Sequence, residues 1–408
     1  MTFASRLTRC PIPYDVQNAE EPRTRFAGLA PELVELLVGT AGCSPYLAGL
    51  MLREAEWLEK ALHEAPEAVL AAELAELEGL GSDALGAALR RAKRRIALLT
   101  GLADLGGVWA LEEVTMAITR LADSAVHLSF VALVGDEIRR GKLPGMQADD
   151  AVAAAGMVAL AMGKMGAGEL NYSSDIDLIC LFDETRYPGD EQEARASFIK
   201  VTRRMTAILS DATDGYVFRS DLRLRPDASV TPVCLSMAAA EAYYEAEGRT
   251  WERAAYIKAR PCGGDLAAGD RFLKTLTPFV WRKHLDFAAI QDAHDMRLRI
   301  RDHRGLHGPI TVEGHNMKLG AGGIREIEFF TQTRQLIAGG RDASLRDKTT
   351  VGGLAALAGV LVVPIQQAHY LMGGDPLLLS FIVVIIGGLG SLRGTLIAAL
   401  VIGLSDGV

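Results

Sequence analysis

Between residues 25 and 150 the apolar positions recur at three- and four-residue spacing. "PELVELLVGTAG", "AVLAAELAELEGLG", "SDALGAALRRAKRRIALLTGLADLGG" and "LEEVTMAITRLADSAVHLSFVALVGDEIRRG" all carry this period, which predicts amphipathic helices. Glycines close several of them, and Ser82 with Asp83 offers an N-cap to the third. The charge cluster "RRAKRR" (90–95) falls inside that third helix. Its expected place is a solvated helix face, with contact to a phosphate or a partner as the second option.

From residue 155 the period changes. "MVALAMGKMGAGELN" begins apolar and becomes glycine-rich, and "DIDLICLFD" predicts a strand. "FIKVTRRMTAILSDAT" predicts a helix and "GYVFRSDLRLRPDAS" a strand that ends in a turn. That alternation predicts a small domain of mixed helix and strand. Helical patterns return from 238 in "AAAEAYYEAEGRTWERAAYIKAR", "DRFLKTLTPFVWRKHLDFAAIQDAHDMRLRIRD" and "GGIREIEFFTQTRQLIAGG". The end of the chain differs again. Between 351 and 408 the only charged residues are Asp375, Arg393 and Asp406. Residues 376–404 are long enough to cross a bilayer, which takes about 20 apolar residues. Length and glycine content favour that reading over a buried core helix, so membrane contact through 377–404 is expected.

Composition narrows the picture. A chain of 408 residues is long enough for two or three domains. A net charge of −8 argues against a broad nucleic-acid-binding face. Five scattered cysteines with no C-x-x-C pair point to a reducing compartment without a disulfide or zinc framework. "MTFASRLTRCPIPYDVQ" lacks the apolar core of a signal peptide, and a cytoplasmic location is expected. No G-x-S-x-G elbow, P-loop or H-E-x-x-H spacing occurs.

The chemistry concentrates in "GELNYSSDIDLICLFD" (168–183). Alternation along a strand puts Asp175 and Asp177 on one side, with Ile176 and Leu178 on the other. Two carboxylates on one face repel unless something strongly cationic lies between them, and a divalent metal meets that need. In "SDLRLRPD" the same alternation groups Asp221 with Arg223 and Arg225. Three carboxylates can hold two Mg²⁺ ions, and arginines can hold phosphate oxygens. Gly163, Gly166 and Gly168 would let the backbone approach a phosphate, and Ser173 and Ser174 add hydroxyl donors. Such a set suits in-line displacement at phosphorus.

With these residues in view, "GKMGAGELNYSSDIDLICLFD" resembles the glycine–serine/D-x-D signature of the polymerase-β-like nucleotidyltransferases. More narrowly it resembles the glutamine synthetase adenylyltransferase/adenylyl-removing family. The resemblance continues through "DLRLRPDAS", "YYEAEGRTWERAAYIKAR", "MKLGAGGIREIEFFTQTRQLIAGGR" and "LRDKTT", and covers roughly residues 25–358. It implies an α+β fold, with a nucleotidyltransferase-like domain flanked by helical regions and followed by a hydrophobic helical tail. The expected divisions are a helical region over 1–115, a catalytic domain over 116–260, a helical bundle over 261–355 and the tail over 356–408. Asp175, Asp177 and Asp221 are the implied catalytic metal ligands. Gly163, Lys164, Gly166, Ser173, Ser174, Arg223, Arg225 and Lys258 are the implied nucleotide- and phosphate-binding set. Glu252, Arg253, Lys258 and Arg260 match the "WER…KAR" signature. Lys318, Arg325, Glu326 and Glu328 match "KLG-x-GGIREIEF", and both groups are open to a second reading as interior ion pairs.

The chain departs from the family pattern at Ala228, where glycine is usual, and at Ala321, where proline is usual. It also carries one D-x-D signature where the family has two catalytic halves. The half present resembles the one that removes AMP from a glutamine synthetase tyrosine by phosphorolysis, giving ADP. The resemblance therefore implies Mg²⁺ as cofactor, with phosphate and ADP as substrates and ATP in the full-length family. It implies glutamine synthetase and the PII nitrogen-signal protein as partners. The tail, "GGDPLLLSFIVVIIGGLGSLRGTLIAALVIGL", resembles a branched-chain amino-acid ABC transporter permease, with a junction expected around 351–362. A catalytically idle regulatory fragment and a membrane-anchored chimera are the alternatives.

Overall fold

The computed structural model describes residues 1–282, 313–320 and 322–362. The expected membrane segment, 377–404, lies outside them. The chain divides into two units. One comprises Met1–Gly248 with Lys258–Thr277, and the other comprises Arg249–Ile257 with the chain from Pro278 onward.

The first unit opens with helices α1 (Gln17–Arg25), α2 (Pro31–Cys43), α3 (Pro45–Arg53), α4 (Ala55–Ala61) and α5 (Pro66–Ala75). Prolines start α2, α3 and α5, where a missing N–H costs nothing. Two long helices follow, α6 (Ser82–Leu105) and α7 (Leu111–Arg139). Gly81, not Ser82, precedes the first turn of α6, because the Ser82 hydroxyl donates to Asp136 Oδ2 on α7 at 2.7 Å. Among the described residues α7 alone is long and apolar enough to cross a membrane, but 61% of its most apolar window is buried inside the protein. It is a core helix. Ala117, Leu121, Ala125, Phe130 and Leu133 along it join one apolar core that runs from the N-terminal helices to the sheet. The expected boundary at 115/116 therefore falls inside a helix shared by both regions. Helices and sheet fold as one unit because neither buries its apolar face without α7.

The "RRAKRR" cluster is likewise not a solvated face. Arg94 Nε and Arg95 Nε donate to the two oxygens of buried Glu54, at 2.9 and 3.0 Å. Arg95 also reaches Glu73 at 3.0 Å, and the Lys93 ammonium lies 4.0 Å from the centre of the Phe218 ring. Arg91 alone of Arg91 to Arg95 is exposed. Burial opposes the Glu54 charge, but the two guanidiniums outweigh it and hold the carboxyl below its usual range. Burial pushes the Lys93 ammonium down to about 8.

The sheet has five strands: β1 (Met157–Ala161), β2 (Ile176–Phe182), β3 (Ser220–Asp221), β4 (Cys234–Ser236) and β5 (Arg260–Gly264). Its order is β3-β2-β1-β5, with β4 also pairing β2. β1 runs antiparallel to β2 and β5, whereas β3 and β4 run parallel to β2. β3 pairs the start of β2 and β4 pairs its end, so the two share one edge. Helix α9 (Glu191–Ser210) covers the sheet, and Phe198 stacks on Phe182 of β2 with ring centres 5.0 Å apart. Every β2 residue except Asp177 is buried. That agrees with the near-continuous apolar run and leaves one polar position on the outward face.

One strand expectation and one helix expectation are corrected. "SDLRLRPD" leaves the sheet after Asp221, because Arg225 and the turn around Asp227 (φ 35°) take the chain away. "YIKAR" does not end as a helix. The chain instead enters β5 at Arg260, where Pro261 and two glycines suit a bulged pairing with β1.

In the second unit, the helix Thr250–Tyr256 buries Glu252 and Arg253. Glu252 accepts from the Arg249 backbone N–H at 2.8 Å, and Arg253 donates to the Val280 carbonyl at 3.3 Å. The helix Ile324–Ala338 begins with Glu326 accepting from the Gly322 N–H at 2.9 Å. The Arg325 N–H bonds the Lys318 carbonyl at 3.0 Å, which closes the turn before it. Gln335 ties this helix to the Leu345 and Asp347 carbonyls at 2.8 and 2.7 Å, ahead of the helix Thr350–Val362. These side-chain contacts give Glu252, Arg253 and Glu326 structural work in the second unit, whereas Arg325 contributes its backbone N–H.

Candidate active site

The register of β2 and β3 builds the site. Asp177 stands directly opposite Asp221 on adjacent parallel strands, and Ile176 stands opposite Ser220. Ile176 is fully buried, so it points into the core, while Asp177 and Asp221 lie on the opposite, more accessible face. Asp175 immediately precedes the strand and is exposed.

Behind Asp177 lies the short helix α8 (Gly163–Ala167). The Met162 N–H donates to the Asp177 carbonyl at 2.9 Å and brings Gly163 against the aspartate. Gly163 has φ +54°, and a Cβ there would lie 2.9 Å from Asp177 Oδ2. Only glycine leaves that carboxylate room. Gly166, expected to approach a phosphate, meets a steric demand of its own. A Cβ at Gly166 would sit 2.1 Å from the Lys258 carbonyl, so its smallness serves a backbone crossing. Lys164 is half-buried on α8, and its carbonyl accepts from the Glu169 N–H at 2.8 Å. Ser173 is exposed and Ser174 closes a turn onto the Asn171 carbonyl.

The cationic residues fall into two sets. Arg223 is mostly exposed and donates through Nε to Asp221 at 2.9 Å, with a second contact through its terminal nitrogen. This hydrogen bond, against partial burial, holds the Asp221 carboxyl below its usual range. The Arg223 charge is stabilised first by Asp221 and then by Asp177 and Asp175. Arg223 is thus held mainly by Asp221, with smaller attraction from Asp177 and Asp175. Arg225 and Lys258 differ from the expected phosphate-binding set. Arg225 donates to the Leu222, Ala228 and Thr231 carbonyls at 2.8, 2.8 and 3.1 Å, which spends its fork on the 222–231 turn. Lys258 is buried, with its ammonium 3.7 Å from Glu169. Arg260, beside it, bridges Asp123 of α7 at 2.9 Å and the Met165 carbonyl at 3.0 Å.

The three aspartates do not close as a ligand set in this conformation. Among the described residues no group of three His, Cys, Asp or Glu side chains is gathered to hold a metal. Asp175 instead accepts from Arg219 at 2.6 Å, and Asp221 is held by Arg223. The residues nevertheless fit a divalent cation by donor chemistry. They are hard carboxylate oxygens on one face, with a glycine cradle behind the central one. Sequence reasoning missed two contributors. Arg219 lies two residues before Asp221, where strand alternation would have placed it on the same face. Tyr172, in the loop before Asp175, donates to Asp104 of α6 at 2.9 Å and anchors that loop, a long-range contact with no sequence signal.

An α+β unit with a D-x-D strand, a third aspartate on the neighbouring strand and arginines at the rim is of nucleotidyltransferase type. The family model for glutamate-ammonia ligase adenylyltransferase matches residues 34–275, more than half of the chain, and the chain belongs to that family. A second model, PII-uridylyltransferase, matches residues 294–373. The chain is 51% identical over 329 residues to the bifunctional glutamine synthetase adenylyltransferase/adenylyl-removing enzyme of Bradyrhizobium sp. strain BTAi1, covering 79% of this chain and 33% of that one. The corresponding enzyme of Rhodopseudomonas palustris strain CGA009 is 50% identical over 335 residues, covering 80% and 34%. That of Xanthobacter autotrophicus strain Py2 is 50% identical over 334 residues, with the same coverage. The chain thus spans about a third of the length of the curated relatives it matches. The match to 294–373 runs through the junction expected at 351–362, and the permease resemblance of the tail gains no support from these comparisons.

Proposed function

We propose that this chain acts on glutamine synthetase as a Mg²⁺-dependent nucleotidyltransferase, and that it removes AMP from a modified tyrosine by phosphorolysis. The observation that carries the reading is the pairing of Asp177 with Asp221 across β2 and β3, with Asp175 two residues before Asp177. An oxygen of inorganic phosphate attacks the phosphorus of the tyrosyl-AMP. A phosphorus–oxygen bond forms as the bond to the tyrosine oxygen breaks, ADP leaves, and the phenolate takes a proton. Asp175, Asp177 and Asp221 would hold the cation, which when bound neutralises charge on the phosphate oxygens. Arg223 lies beside Asp221 and is placed to orient a phosphate oxygen once it leaves that carboxylate. Gly163 leaves room for the Asp177 carboxylate. The match of 294–373 to the PII-uridylyltransferase model supports PII as a regulatory partner.

The test is incubation of the purified chain with adenylylated glutamine synthetase, Mg²⁺ and labelled inorganic phosphate. Label in the β-phosphate of ADP is the expected result. A folded chain that yields no labelled nucleotide would overturn the reading and favour an idle regulatory fragment.

A further inference from the structure

Arg219 lies outside the site residues named above, yet it is tied to two of them, Asp175 and Ser173. Its Nε donates to Asp175 Oδ1 at 2.6 Å, and a terminal nitrogen donates to the Ser173 carbonyl at 3.2 Å. Its guanidinium lies 5.6 Å from the centre of the Tyr216 ring. The main chain is fixed independently, because the Ile176 N–H donates to the Arg219 carbonyl at 2.9 Å where β2 begins. The side chain therefore pivots from a held backbone. The pair is open to water, with side chains 58% and 51% exposed. Such pairs contribute about 1 kcal/mol or less. A guanidinium has five N–H donors, and the contacts to Asp175 and Ser173 engage two of its nitrogens.

We propose that Arg219 is a phosphate-binding residue held in reserve by Asp175. A divalent cation taken up by the carboxylates displaces the guanidinium, which then donates to inorganic phosphate. The proposal rests on the reading of this site as a phosphate-transfer centre. A divalent cation on the Asp175 carboxylate neutralises the charge that holds the guanidinium and repels the guanidinium itself, so the two compete for Asp175. The doubly charged cation prevails over a solvated ion pair. The incoming phosphate then supplies the negative charge that Asp175 has given up, and its oxygens suit the planar fork of arginine. Arg219 would exchange one anionic partner for another, and the site would favour phosphate only when the cation is in place.

The test is calorimetric titration of the full chain with Mg²⁺ alone, then with inorganic phosphate at saturating Mg²⁺, in wild type, Arg219→Gln and Arg219→Lys. Arg219→Gln should bind Mg²⁺ two- to five-fold more tightly, a range set by the roughly 1 kcal/mol ceiling on an exposed pair. It should bind inorganic phosphate about ten-fold more weakly, as for loss of a charge-assisted hydrogen bond. Arg219→Lys should fall between, and it decides the matter if the glutamine variant does not fold. Opposite signs are the signature, since a residue that merely braces the 171–175 loop would weaken both or neither. Unchanged or weaker Mg²⁺ binding, or unchanged phosphate binding, overturns the proposal. Asp177→Asn separates the two levels. Mg²⁺ binding insensitive to that change overturns the site reading itself. Mg²⁺ binding lost in Asp177→Asn but unmoved by Arg219→Gln overturns only the role of Arg219.

Discussion

Two arginine–carboxylate clusters in the first unit use the same chemistry in opposite settings. On α6, Arg94 and Arg95 hold Glu54 between the N-terminal helices, and the Glu54 side chain is 7% exposed. At the edge of the sheet, Arg219 holds Asp175 and Arg223 holds Asp221, with the Arg223 side chain 85% exposed. The buried cluster cannot exchange partners, because removing one ion strands another out of water. The exposed pairs cost little to open. Burial, not residue type, separates a structural ion pair from one that can yield to a ligand. The "RRAKRR" run, the densest charge in the sequence, is the structural one.

The largest effect should come from Asp177→Asn. Loss of one central ligand removes several kcal/mol of transition-state stabilisation, about a thousand-fold in ADP formation. Urea unfolding should show stability unchanged or slightly higher, since repulsion from Asp175 and Asp221 is relieved. A variant that keeps more than a tenth of wild-type activity would remove the functional contrast between the clusters.

Next is Glu54→Gln, which leaves two partly buried guanidiniums facing an amide. It should cost about 2–3 kcal/mol in urea unfolding at pH 7. The Glu54 carboxyl lies below its usual 4.5 in the folded protein. Its contribution is therefore complete above that value and fades as pH falls through the lower, folded one. The penalty of the glutamine variant should shrink in acid accordingly.

Lys93→Met should act in the other direction. Burial lowers the ammonium from 10.5 to about 8, so its charge is a burden to the fold. That burden is complete below pH 8 and disappears as pH rises toward 10.5, where the unfolded lysine also loses its proton. After allowance for the lost contact with Phe218, the variant should be about 1–2 kcal/mol more stable at pH 7. The gain should shrink at pH 10, and a gain that grew with pH would refute the assignment.

The smallest effect belongs to Arg223→Gln, which should change stability by less than about 1 kcal/mol. A larger loss would place the exposed pairs in the same class as the buried ones.

The helices of 25–150, strand β2 and the D-x-D positions were legible because period and residue type carry them. Asp221 was legible as a neighbour of Asp177 because "FRSD" reads as strand up to that point. Arg225 was not, because the chain leaves the sheet at Leu222 and its guanidinium caps three carbonyls of the following turn. Gly166 also sits at a backbone crossing that local sequence does not show, between residues 92 positions apart in sequence, 166 and 258. The inward turn of Arg94 and Arg95 depends on Glu54 and Glu73, some 40 and 22 residues away, and a helix period alone cannot supply those partners. What the local pattern missed is what tertiary contact decides.

The central claim is that the carboxylates at the sheet edge exchange their arginines for a divalent cation. Thermal unfolding of the whole chain with and without about 10 mM Mg²⁺ tests it most directly, because a ligand that binds only the folded state raises the midpoint. The account predicts a rise of a few degrees in wild type, kept in Lys93→Met and lost in Asp221→Asn. A rise of the same size in Asp221→Asn, or none in wild type, would contradict it.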